Sequence, residues 1–179
     1  MKKNSVTTLL LLWFTIIYGQ AQGSQEVQNR YINFTETLSA AIDTNNLAVL
    51  GNAFNDKALI KRVLEPSKSD DTQRYNDGFE RGLMEEGIGN IFVSALQAEV
   101  DNGSYYNMVK LHYKNNTPHV LLRIIDTAGA LNYHDYELQL LNDVVKIVDV
   151  YIYISGEYFS ETLKSVYLMG LKEVSGAKK

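Results

Sequence analysis

Two charged side chains lie inside apolar, strand-length runs and are the first candidates for chemistry. Asp149 interrupts "KIVDVYIYIS" and Arg123 interrupts "HVLLRIID". A carboxylate or guanidinium lowered into a core is costly unless it is paired and hydrogen-bonded. The two side chains admit three readings. They pair with each other, or with neighbouring tyrosines and histidines. They line a ligand pocket, Arg123 holding an anionic group and Asp149 accepting a donor. Or Asp149 is a general base whose pKa is raised by desolvation. Of these the residues favour the ion pair.

The histidines, His112, His119 and His134, fall on three successive strand-like runs. That placement is compatible with a cluster but does not require one. No His-x-His or His-x-x-x-His spacing occurs, so neither a metal site nor any other cofactor is expected, and the histidines read as surface or pocket-edge residues. No Gly-x-Ser-x-Gly elbow or glycine-rich phosphate loop is present. Eight of the twelve tyrosines lie between Tyr105 and Tyr158. Tyrosine suits a half-buried sheet, and equally a wet pocket or interface. Tyr151 and Tyr153 alternate in step with Asp149, and Tyr133 stands beside His134 in the polar segment "NYHDYE", an expected edge or mouth. The ligand-binding candidates are therefore Arg123, Asp149, Tyr151, Tyr153, His112, His134 and Tyr133, with Asp149 the weak catalytic candidate.

Elements must position these groups. Val27, Tyr31, Phe34, Leu38 and Ile42 recur at helical spacing and predict a helix over residues 24–43. "DTNN" breaks it before a short second helix in "LAVLGNAF". "KALIKRVLEP" is a short strand or another helical turn, and the polar "PSKSDDTQRYNDG" reads as a surface loop. Phe79, Leu83, Ile88, Phe92 and Leu96 then mark a helix expected to break near the glycines of "EEGIGN". From Ser104 the period becomes two, and "SYYNMVKLHYK", "HVLLRIID", "ALNYHDYELQLL" and "VVKIVDVYIYIS" are four strands. Their connections, "NNTP", "TAG" and "ND", are short enough only for antiparallel neighbours. Strict alternation puts Asp149 with Val145, Ile147, Tyr151 and Tyr153, and His112 with Met108 and Lys110. "SETLKSVYLMGLKEV" is a final helix, with Ser160 as N-cap and Glu161 in the first turn.

The front of the chain has the form of a secretory signal peptide over residues 1–21: Lys2 and Lys3, an apolar stretch from Val6 to Tyr18, and Gly19-Gln20-Ala21. Export to a periplasmic or extracellular compartment is expected, with no stable membrane insertion after cleavage and one α+β domain over 22–179. The chain carries 17 basic and 21 acidic side chains. Leaving out Lys2 and Lys3, 15 basic face 21 acidic, a net charge of −6. That balance, with no block of Lys or Arg, excludes a nucleic-acid footprint. The absence of cysteine excludes disulfides and thiolate chemistry.

Helices followed by a curved antiparallel meander, with "ETLSAAIDTNNLAVLGNAF" as the opening helices and long strands from Tyr105 to Ile154, resemble the NTF2-like (cystatin-like) superfamily. The resemblance implies N-terminal helices packed on a bent sheet to form a cone, a C-terminal helix, and a homodimer through the sheet as an option. No catalytic dyad of the superfamily's enzymes can be matched onto this sequence. The expected function is an exported, non-catalytic domain that binds a small molecule, peptide or partner protein in its cone. The alternatives are a hydrolase- or isomerase-type enzyme using Asp149 or a histidine as general base, and an assembly module.

Overall fold

The four alternating runs form strands because their turns leave no other choice. Strands β1 (Tyr105–Lys114) and β2 (Thr117–Ile125) are joined by Asn115 and Asn116, at φ 52° and 65°. Strands β3 (Leu131–Leu141) and β4 (Val144–Ile152) are joined by Asn142 and Asp143, at φ 46° and 66°. Two successive residues at positive φ make the turn whose twist matches a tight hairpin, and Asn and Asp tolerate it. Between β2 and β3 the chain turns through residues 126–130, where one Asp126 carboxylate oxygen accepts from the amides of Ala128 and Ala130. With the two-residue β5 (Glu157–Tyr158) the result is an open, curved antiparallel sheet in the order β1-β2-β3-β4-β5.

The computed structural model describes residues 25–66 and 69–176, so the expected signal peptide over 1–21 lies outside the described residues. Helix α1 spans residues 25–43, followed by α2 (Ala48–Asn52), α3 (Asp56–Val63), α4 (Asp70–Glu86), α5 (Ile88–Asp101) and, after the sheet, α6 (Phe159–Gly176). This is the α+β architecture the sequence implies. On α1, Tyr31, Leu38 and Ile42 are buried, whereas Val27 at the same helical spacing is exposed. The ambiguous "KALIKRV" is helical, capped by the Asn55 side chain, which accepts from the amide of Ala58.

One expected loop is a helix. Residues 70–78 form the first half of α4, capped by the Ser69 hydroxyl accepting from the Thr72 amide, with Asp70 and Asp71 in the first turn. Its apolar stripe of Tyr75, Phe79 and Leu83 is too sparse to stand out from the polar composition. Tyr75 and Phe79 pack on Tyr167 of α6, whose hydroxyl donates to buried Asn76.

The break in "EEGIGN" is where expected. Gly87, at φ 79°, ends α4 and starts α5. Gly89 has a second role: a Cβ there would lie 2.1 Å from the backbone oxygen of Gly51, so α5 crosses α2 with backbones nearly touching. Gly89→Ala should force the helices apart and lower stability by about 1–3 kcal/mol. Chemical denaturation measures this, and an unchanged midpoint would mean the crossing is looser than drawn.

Two bulges correct the simple alternation of faces. Between Met108 and Lys110 the register with β2 shifts, leaving Val109 extra. Opposite Glu137 and Leu138 it shifts again, leaving Val148 extra. Before its bulge β4 turns Val145 and Ile147 to the core, and after it Val150 and Ile152. Asp149 and Tyr151 are thereby placed on the side opposite Val145 and Ile147, and Met108 on the side opposite His112. The core lies on one face of the sheet: Val120, Leu122, Ile124, Tyr136 and Leu138 meet Phe54, Phe92 of α5, and Leu163 and Tyr167 of α6. The edge of β4 is covered as well. Ala53 to Asn55 pair with Ile147 along its first half, and β5 pairs with its second.

Candidate functional site

Asp149 is paired, but not with Arg123. The Arg62 Nη1 donates to Asp149 Oδ2 at 2.8 Å, and its Nη2 to Glu137 Oε1 at 2.8 Å. Asp149 is 1% exposed and its oxygens are fully used. Oδ2 also accepts from the Ser160 hydroxyl at 2.6 Å, while Oδ1 accepts from the amides of Ser160 and Val150. Because α6 begins at Phe159, Ser160 stands inside its first turn rather than capping it. The cap is shared: Asp149 takes the Ser160 amide from across the sheet, and Glu161 reaches back to the Tyr158 amide at 2.7 Å. Asp149 thus ties α3, β4 and α6 together, and has no lone pair left for a base's work. Arg123, on the outer face opposite Asn107 and Tyr133, donates to Asn107 Oδ1.

A cavity of about 500 Å3 opens on the core face, between α5, the loop end of β2 and β3, the end of β4 and the start of α6. Phe92, Leu96, Ile124, Ile152 and Phe159 give it apolar walls, and the exposed Leu131 and Ile154 continue that surface at the mouth. Its size is typical of small-molecule sites. Among the described residues Glu99 and Asp126 are its ionisable groups besides His134, and no Lys or Arg lines it.

Of the seven candidate residues only His134 lines this cavity; Arg123, Asp149, Tyr151, Tyr153, His112 and Tyr133 do not. The His134 ring packs against Phe92, Tyr106 and Tyr136, with centroids 5.4, 6.0 and 6.2 Å away. Burial holds its pKa down to about 4, so the imidazole is neutral at pH 7. The tautomer follows from Asn132. Asn132 Oδ1 accepts from the amides of Tyr133 and Ile154, so its Nδ2 is the group facing His134 Nε2 at 3.3 Å. Nε2 is then the acceptor and the proton sits on Nδ1. Among the described residues that buried Nδ1 has no hydrogen-bond partner. Sequence pattern shows His134 as one histidine among three. Its even position in β3, in step with Tyr136 and Leu138, is the signal that puts it on the core face.

Among the described residues no helix is long and apolar enough to cross a membrane. No family model and no curated protein matches the chain. Among solved structures it is similar to a phospholipid-binding protein from Ralstonia solanacearum, determined in complex with a phospholipid. The similarity covers 86% of this chain and 90% of that one, at 16% identity and a TM-score of 0.42.

Proposed function

We propose that the chain is an exported, non-catalytic binding domain of NTF2-like form whose cavity takes a neutral amphipathic small molecule. The observation that carries this reading is the cavity itself: about 500 Å3, walled by Phe92, Leu96, Ile124, Ile152 and Phe159, with the neutral polar side chains of Asn132 and Thr162 also in its lining. An otherwise apolar ligand is stabilised by burying its surface against those walls. Among the described residues the lining offers carboxylates and no cation, which disfavours an anionic headgroup. Neither Asp149 nor His134 is placed to act as a general base. A histidine neutral down to about pH 4 has little proton affinity near neutrality, and Asp149 is saturated.

The test is titration with a neutral, polarity-sensitive fluorophore, followed by displacement with uncharged single-chain amphiphiles. Saturable uptake by the native chain is expected, lost in Ala95→Trp, which fills the cavity from an exposed position of α5. Equal uptake by native chain and Ala95→Trp would remove the cavity from consideration.

A further inference from the structure

We propose that His112, His119 and Asp135 form a binding site for a divalent first-row transition ion of the zinc class, on the sheet face turned away from the core. The register builds the group. His112 of β1 stands directly opposite His119 of β2, and Asp135 of β3 opposes Leu121, two residues further along β2 on the same face. One potential ligand atom from each residue lies within 4.8 Å of the other two. His112 Nε2 is 2.9 Å from Asp135 Oδ1, and His119 Nδ1 is 3.4 Å from the same oxygen. Two donors held at 2.0–2.1 Å by one tetrahedral ion stand roughly 3.3 Å apart, so the spacing suits a shared ion.

Protons alone satisfy this group poorly. His119 is 4% exposed, and its Nδ1, though near Asp135, meets no partner in hydrogen-bond geometry among the described residues. Asp135 is as deeply buried, at 3%. An ion at the centre gives the orphaned nitrogen a bond and uses the oxygen both histidines face. Two imidazoles and one carboxylate are a donor set for zinc or iron-group ions rather than magnesium or calcium. The His112 side chain is a quarter exposed, so a fourth position can reach water. The site shares no residue with the cavity, and one can fail without the other.

The experiment takes tag-free chain stripped with a chelator and titrates it with zinc chloride by calorimetry, with cobalt(II) absorption as the spectroscopic readout. One ion per chain is expected, with tetrahedral-type cobalt bands. Removal of a direct ligand should weaken binding by at least the roughly 100-fold that loss of an outer-shell partner can reach. His112→Ala is the decisive variant, because its partly exposed position preserves the fold; circular dichroism checks this, and Asp135→Asn is the second. Absence of saturable zinc uptake by folded chain overturns the proposal. So does uptake unchanged in both variants, which would put the ion elsewhere.

Discussion

Asp149→Ala is expected to unfold far more easily than the native chain, losing about 3–5 kcal/mol. The size follows from what is stranded. Arg62 keeps Glu137 but loses its buried anion, the Ser160 hydroxyl and amide lose their acceptor, and the start of α6 loses half its cap. At a urea dependence of about 2 kcal/mol per molar, the midpoint should fall by about 2 M. Asp149→Asn keeps the shape and one acceptor oxygen, so it should cost less. Arg62→Ala should fall between the two, since Asp149 then keeps three of its four donors. If Asp149→Ala moved the midpoint by less than a few tenths molar, the three-element tie would be wrong. A catalytic role for Asp149 would instead show as lost activity in a chain of normal stability.

The second large effect is a pH dependence written by His134. In the unfolded chain its imidazole ionises near pH 6.5, whereas the folded chain holds it neutral down to about 4. Above pH 6.5 both states are neutral and the residue contributes no slope. Between 6.5 and 4 the unfolded chain binds a proton that the folded chain refuses, so stability falls as pH falls. The loss totals about 3 kcal/mol and levels off below pH 4. The measurement is the stability difference between native chain and His134→Leu, followed from pH 7 to pH 4. It should shift in favour of the variant by about that amount, and parallel curves would exclude the account. Asp135 acts in the same sense but at lower pH. Its carboxyl is held down in the fold, so its stabilisation is complete above the ordinary aspartate range and disappears as pH drops through the lowered value.

The meander was legible because period two and two-residue Asn/Asp turns leave little freedom. The turn at Asn115–Asn116 even sets His112 opposite His119, by counting outward equally along both strands. The same count from Asn142–Asp143 sets Glu137 opposite Val148, one residue short of its true partner Asp149. The bulge at Val148 accounts for the difference, and alternation carries no mark of it. The partner of Asp149 was illegible for another reason. Arg62 lies 87 residues earlier, on a helix whose course depends on the pairing of Ala53 to Asn55 with Ile147. No local pattern encodes that approach. The front of α4 was hidden by composition: a helix that only half-buries Tyr75, Phe79 and Leu83, and whose one fully buried residue is the polar Asn76, looks, residue by residue, like a loop. His134 was named as one of several candidates, and only the assembled sheet separates it from the outward-facing His112.

The tight turns and the cavity lie at opposite ends of the strands. Asn115–Asn116 and Asn142–Asp143 close one end, while the 126–130 loop, the start of β3 and the end of β4 frame the other. A tether, label or fused module attached at Asn115–Asn116 is therefore separated from the cavity mouth by the length of a strand. The domain can be held by one pole with the cavity mouth left open at the other, which is the geometry wanted in a surface-immobilised sensor.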